Sequence, residues 1–317
     1  MPYERIEELK KQLFGKKREV SIERALLYTE SYKETHGLPS IIRRAKATAH
    51  ILENINISIR DGELIAGNRT IKPRSGIISP EMDPYWIYDE MDTIHMRPQD
   101  PFVFNEEDKK VYKEVLYPYW ASNSLKDFIN SKLTDDVKSG VSKNIFKLNQ
   151  TDKGQGHIIA DFESLLNRGL GDMVKEVHAK LNENPDNDFY KAALIVLRAS
   201  QDHILRYADL AKNMVQNEKD KIRKPELLEI ERISRKVAAS KPDSLHEACQ
   251  LLWYMCIILQ YESNASSLSF GRFDRYMYPF YKHDIENNVS IDSIKEILEC
   301  LWIKTNDVVL IRSRDSA

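Results

Sequence analysis

Between Cys249 and Tyr261 the chain carries eleven apolar residues in thirteen, broken only by Gln250 and Gln260. That pattern leaves no polar face and predicts a helix enclosed by protein on every side. It is too short to cross a bilayer, which takes about 20 apolar residues. The run passes directly into the polar and aromatic strip Glu262-Ser-Asn-Ala-Ser-Ser-Leu-Ser-Phe-Gly-Arg-Phe-Asp-Arg-Tyr-Met-Tyr-Pro-Phe-Tyr281. Asn264, Ser266, Ser267 and Ser269 are short side chains that can cap the last carbonyls of a buried helix. The same groups on an apolar floor also suit a strand edge lining a ligand cavity.

Elsewhere the apolar spacing is mostly helical. Ile6, Leu9, Leu13 and Phe14 share one face of a first helix. Ser21 is placed to cap a second running to about Glu34, stopped by Gly37 and Pro39. Ser40 opens a third, with Ile42, Ala45, Ala49 and Leu52 inward. The alternation Ile55, Ile57, Ile59, then Arg60-Asp61-Gly62 and Leu64-Ile65, predicts a short hairpin. Residues 71–84, with Pro73, Gly76, Pro80 and Pro84, predict a long irregular connection.

Asn105 and Asp108 form a capping pair for a helix to Leu116, and Thr134 is placed to cap another. A second irregular piece is expected around 150–160. Two long helices follow, about Phe189 to Gln216 and Glu226 to Ala239, the first with Ala193, Leu197, Ile204, Tyr207 and Leu210 inward, punctuated by Pro225 and Pro242. A last helix spans about Ile291 to Lys304, and Val308–Ile311 predicts a strand that begins as the chain ends. Such an end is expected of part of a larger domain. No helical-repeat period is present.

The chain has 317 residues, 30% of them charged, and a formal net charge of -2. This balance gives no electrostatic case for nucleic acid or an anionic membrane. The charged first residues contain no secretory h-region, and a cytoplasmic location is expected. Three cysteines, Cys249, Cys256 and Cys300, are set in apolar sequence and read as inert buried thiols, not disulfides, metal ligands or nucleophiles.

His157 stands in Gly154-Gln-Gly-His157, where two glycines allow close backbone approach and leave the ring poorly shielded. It reads either as a turn histidine or as a group that could donate to a substrate hydroxyl. The other seven histidines read as surface or packing residues. Arg69, Lys72 and Arg74 form a basic loop expected to be solvated, although three cations so close could also hold an anion. Glu81, Asp83 and Asp161 have no visible partner. No nucleotide-binding, zinc-protease or serine-hydrolase motif occurs.

The strip 262–281 resembles the corresponding segment of glycyl radical enzymes, the pyruvate formate-lyase-like and glycerol dehydratase-like group. So do Ser21-Ile-Glu-Arg-Ala25, Ile59-Arg-Asp-Gly-Glu-Leu-Ile-Ala-Gly67, Lys72-Pro-Arg74, Gly154-Gln-Gly-His157 and Leu301-Trp-Ile-Lys-Thr-Asn-Asp307. The match is nearest the putative formate acetyltransferase subgroup. The resemblance implies a mainly α chain, the helical shell and first elements of a truncated ten-stranded α/β barrel. Residues 1–317 would be the N-terminal part of the domain. The Gly-Cys-Val-x-Pro motif of the thiyl cysteine and the Arg-Val-x-Gly motif of the radical glycine are both missing from the sequence.

The resemblance also assigns residues. His157 matches a histidine, and Ser267 a serine, that contact substrate hydroxyls in the dehydratases. Ser266 falls where those enzymes carry a second histidine, which argues against glycerol itself. Asn264 completes the expected substrate-binding set, and no catalytic residue or metal ligand is expected here. Arg272 and Asp274 match a motif read as an ion pair at the start of the barrel wall.

The implied activity of the complete enzyme is C–O lysis, or dehydration, of a polyol or sugar-like substrate. Formate acetyltransfer is one alternative and a non-catalytic helical binding or scaffold remnant another. Implied partners are a small-molecule substrate, a C-terminal half chain, a radical-SAM activating enzyme and, when complete, a second copy in a homodimer. The glycyl radical belongs to the complete enzyme, with no cofactor in this chain.

Overall fold

The computed structural model describes residues 2–148, 157–264 and 267–316. Three helices open the chain, α1 (Pro2–Phe14), α2 (Glu23–Glu34) and α3 (Ser40–Asn54), and two-residue strands β1 (Val20–Ser21) and β2 (Gly76–Ile77) pair in parallel. Five short helices follow: α4 (Pro84–Glu90), α5 (Glu106–Val111), α6 (Tyr117–Trp120), α7 (Leu125–Lys132) and α8 (Asp135–Ser142). A π-helical turn, Tyr112–Leu116, joins α5 to α6. Longer helices come next, α9 (Phe162–Glu183), α10 (Asp188–Asn217), α11 (Arg223–Ala239), α12 (Leu245–Ser263), α13 (Phe273–Glu286) and α14 (Ile291–Thr305).

The apolar run 249–261 forms the centre of the molecule. It lies in α12, which touches α3, α9, α10, α11, α13 and α14. Ser244 and Glu247 close its N-terminus as a reciprocal capping box. Leu251, Leu252, Ile257, Ile258 and Tyr261 are buried in one continuous core with residues of α3, α9, α10 and α11. A second, smaller core gathers Ile78, Trp86, Phe102, Tyr112, Val309 and Ile311.

Beneath α12 runs an irregular segment, Glu63–Thr70, every residue of which is buried. Buried peptide groups outside helices and strands need partners one by one. Side chains of α12 supply them. His246 Nε2 donates to the Leu64 carbonyl at 3.0 Å, and the Gln250 amide both accepts from the Ala66 N–H and donates to its carbonyl, each at 2.8 Å. Trp253 Nε1 donates to the Gly67 carbonyl at 2.7 Å and the Tyr261 hydroxyl to the Asn68 carbonyl at 2.9 Å. Gly67 has φ 111°, and a Cβ there would stand 3.1 Å from the Trp253 ring. The backbone angle requires glycine, and the indole leaves little room for a side chain.

Charge locks the same segment to α14. Lys304 Nζ donates to Glu63 Oε1 and to Asn68 Oδ1, both at 2.7 Å, while Arg60 pairs with Asp307 at 2.9 Å. Lys304 and Glu63 are each buried, at 4% exposure. The Lys304 and Arg60 cations hold the Glu63 carboxyl below its ordinary range against the opposing effect of burial.

Several expectations change. Residues 55–65 form no hairpin, because their peptide groups are bound by α12 and Arg223 instead of by a partner strand. Ser21 lies in β1 and α2 begins at Glu23, since the Val20–Ser21 backbone pairs with β2. Pro225 sits in the first turn of α11, where its missing N–H has no helical acceptor to lose. Residues Phe162–Glu183 and Phe273–Glu286 are helical although the apolar pattern did not mark them. Val308–Ile311 is extended and packed but pairs with no strand among the described residues.

The basic loop is not solvated throughout: Arg69 is 1% exposed. Glu81 pairs with Arg24 at 2.8 Å, Asp83 with Lys126 at 2.6 Å, and Asp161 caps α9 by accepting from the Ser164 N–H at 3.1 Å. Asn105 caps α5 by accepting from the Asp108 N–H, as the sequence predicted. No helix among the described residues is long and apolar enough to cross a membrane.

Replacing Lys304 by Met would leave the Glu63 carboxylate buried without its closest cation. A loss of about 3–5 kcal/mol is expected, read as a lower urea midpoint at unchanged slope. A loss under about 1 kcal/mol would show the pair to be dispensable.

His203 in α10 makes a second test. Its Nδ1 donates to the Leu52 carbonyl at 2.8 Å, its Nε2 has no partner, and burial lowers its pKa from 6.5 to about 4. Above pH 6.5 the ring is neutral whether the chain is folded or unfolded. As pH falls from 6.5 to about 4, only the unfolded chain takes up the proton, so stability declines across that window by about 3 kcal/mol. His203→Gln should flatten that acid limb in urea titrations between pH 7 and 4; an unaltered limb would exclude His203 as its source.

Candidate functional site

The C-terminal end of α12 is where the expected site residues fall. A buried helix end must satisfy its last carbonyls. Here Arg24 of α2 does most of this: Nε donates to the Tyr261 carbonyl at 2.6 Å and Nη2 to the Glu262 carbonyl at 3.2 Å. Its guanidinium is fully buried, paired with Glu81 and packed 5.0 Å from the centre of the Tyr28 ring.

Asn264 ends α12 in the left-handed conformation, φ 47°, with its N–H bonded to the Gln260 carbonyl at 2.9 Å. Its Nδ2 donates to the Ile77 carbonyl of β2 at 3.2 Å. Asn264 is therefore a helix cap that ties α12 to β2, and it is not among the residues of the cavity described below. Its Oδ1 is buried and without a partner among the described residues.

Past this cap the chain turns beside the segment that carries His157. The Ser269 N–H donates to the Ile158 carbonyl at 3.0 Å, and Ile159 and Ser269 form a parallel bridge. Two stretches about 110 positions apart are thereby aligned, bringing His157 and Ser267 into one region. Both residues have left-handed backbones, φ 55° and 59°, and both side chains are exposed. Ser266 and Gly154–Gly156 lie outside the described residues.

Ser267 opens onto a cavity of about 220 Å³. Its other walls include Arg69, Trp253, Cys256, Gln260 and Thr305, drawn from the buried segment, α12 and α14. Small polar groups here converge over an apolar floor, as small-molecule sites require. Arg69 donates Nη1 to Gln260 Oε1 at 3.2 Å and Nη2 to the carbonyls of Ser75 and Val309. Sequence reasoning did not place Arg69 or Gln260 in the site. The signal available was Gln260 itself, an amide in a helix with no polar face, which must meet a polar partner.

Cys256 on the cavity wall and Cys249 and Cys300 elsewhere are buried thiols, as expected. Burial pushes Cys249 and Cys300 up to about 12 and Cys256 upward too, so all three stay protonated near neutral pH. Arg272 and Asp274 do pair, at 3.2 Å, but at the surface, 76% and 72% exposed. A pair so exposed contributes little to stability. Among the described residues no group of three or more His, Cys, Asp or Glu is arranged to hold a metal.

A larger groove, about 660 Å³, lies at the opposite end of α12. Its charged walls are already paired, Arg5 with Glu226 and Glu296, and Arg232 with Glu229 and Glu247.

A family model described as pyruvate formate lyase-like matches residues 1–317. The glycerol-bound B12-independent glycerol dehydratase from Clostridium butyricum is 38% identical and superposes with a TM-score of 0.94, over 99% of this chain and 41% of that one. A glycyl radical enzyme from Archaeoglobus fulgidus is also 38% identical, with a TM-score of 0.90 over 96% of this chain and 40% of its own. The probable dehydratase YbiW of Escherichia coli K12 is 37% identical over 93% of this chain and 38% of its own length. The chain thus spans about two fifths of these relatives. With the match running through every residue and the fold shared with solved members, the chain belongs to the pyruvate formate lyase-like family of glycyl radical enzymes.

Proposed function

We propose that this chain carries part of the substrate pocket of a glycyl radical C–O lyase acting on a polyol or sugar-like molecule. The observation that supports it best is the pairing of 157–159 with 267–269, which aligns the segment carrying His157 with the segment carrying Ser267, a wall of the cavity. Their left-handed backbones point the same way. Strain of about 1–3 kcal/mol per residue tends to persist where it orients a functional group.

In this reading His157 and Ser267 hydrogen-bond substrate hydroxyls, and Ser266 extends the set. Asn264 keeps a supporting part, holding the end of α12 against β2 so that the following turn is positioned. The sequence has neither the thiyl-cysteine motif nor the radical-glycine motif, so the groups that abstract hydrogen and store the radical come from outside these residues. This chain contributes positioning and exclusion of water. Residues 1–317 would act as one structural unit, a helical shell against which the α/β barrel of the complete enzyme is built. A radical-SAM activating enzyme and a homodimeric assembly complete the proposal.

The likeness to a glycerol-bound dehydratase supports dehydration as the reaction. The serine at 266 in place of a second histidine shifts the substrate away from glycerol, since a hydroxymethyl group reaches less far than an imidazole and carries no charge near pH 7.

His157→Ala, in the chain assembled with the residues that supply the cysteine and glycine, should lower kcat/KM about 10- to 100-fold, the value of one lost hydrogen bond to a polar substrate. Ser267→Ala should fall in the same range. Unchanged turnover and affinity in both variants would remove the cavity from the reaction.

A further inference from the structure

Among the described residues the other fully buried lysines and arginines are matched with carboxylates. Arg24 lies 2.8 Å from Glu81, Lys304 2.7 Å from Glu63, Arg223 2.9 Å from Glu226 and Lys109 2.8 Å from Glu106. Arg97 pairs with Glu90. Arg69 differs. It is 1% exposed, yet no carboxylate stands within 4 Å of its guanidinium among the described residues. Its bonds go to neutral oxygens only, Gln260 Oε1 and the carbonyls of Ser75 and Val309, and its Nε–H finds no acceptor.

An unpaired buried charge is costly, by several kcal/mol once the surroundings relax. Neutral dipoles and the more distant Asp307 carboxylate offset only part of this. Burial accordingly lowers the Arg69 pKa to about 10, still well above neutral pH, so the side chain remains a cation. Arg69 is also a wall of the cavity that Ser267 opens onto, and Gln260, its Nη1 acceptor, is another. The missing negative charge can therefore arrive from the cavity.

We propose that Arg69 is the anion-recognition residue of this cavity, so that the substrate is a small hydroxy acid presenting a carboxylate or similar oxyanion to the guanidinium and its hydroxyl toward Ser267. This rests on the reading of the cavity as the substrate site and narrows the substrate from any polyol to one carrying a negative charge. A guanidinium forms charge-assisted hydrogen bonds to an oxyanion, roughly twice as strong as those between neutral groups. A neutral diol would gain only the hydroxyl contacts.

The test compares glycolate with ethane-1,2-diol, a pair differing by the carboxylate, titrated calorimetrically at low ionic strength into this chain assembled with the residues that supply the cysteine and glycine. Glycolate should bind at least 10-fold more tightly. In Arg69→Gln the ratio of the two affinities should collapse toward one, and Arg69→Lys should recover part of it. Gln260→Glu is a second variant that keeps Arg69: it sets a carboxylate where Oε1 now lies 3.2 Å from Nη1, and should suppress glycolate binding by satisfying the cation internally. Equal affinities in the native chain, or glycolate binding unaltered by both Arg69→Gln and Gln260→Glu, would overturn the role of Arg69 and leave the cavity reading standing. Binding of neither ligand would overturn both readings.

Discussion

An irregular stretch of backbone, Glu63–Thr70, is buried beneath the central helix, and that burial constrains most of what surrounds it. A strand or helix could satisfy its own peptide groups by repetition, whereas this segment must be met group by group. Helix α12 is the answer to that demand. His246, Gln250, Trp253 and Tyr261 recur along it at helical spacing and each delivers a hydrogen bond to the segment. A helix apolar by residue type is thus polar by contact along one line. Its position along the segment is set by those bonds, and the cavity at its far end inherits that position.

Electrostatics reinforce the arrangement from three sides. Lys304 of α14 bonds Glu63 and Asn68, Arg60 joins Asp307 after α14, and Arg24 of α2 caps the carbonyls at the end of α12 while pairing with Glu81. Each partner is distant in sequence, so the network can form only in the folded chain. Buried pairs of this kind add little net stability over apolar packing, but removing one partner is severe. They act mainly as registration. Arg69 stands apart from this scheme because its acceptors are all neutral and it faces a cavity.

The candidate site was legible only in fragments. His157 and Ser267 drew notice through local chemistry and family resemblance, and the structure aligns their segments through Ser269 and Ile158. Asn264 was grouped with them because it belongs to the same polar strip, yet its left-handed φ turns it into a cap directed at Ile77. Glu81 and Asp83 looked partnerless because their cations, Arg24 and Lys126, lie 57 and 43 positions away along the chain. Arg69 read as part of a solvated loop because three neighbouring cations with Pro73 and Gly76 carry no mark of burial.

Periodicity alone determined that this chain is mainly helical, that the run 249–261 is enclosed, and where helices such as 40–54, 188–217 and 291–305 lie within a few residues. Those features are local, since an apolar spacing of three to four commits a segment to one face whatever it meets. Tertiary structure alone decided the fate of residues 55–70. Their alternating isoleucines suit a hairpin, but side chains of Arg206, Arg223 and His246, 151 to 182 positions away, bind carbonyls of Ile55, Arg60, Glu63 and Leu64 instead. It also decided which polar residues share the cavity, because hydrogen bonding and charge pairing depend on distance in space, and sequence separation carries almost no information about that distance.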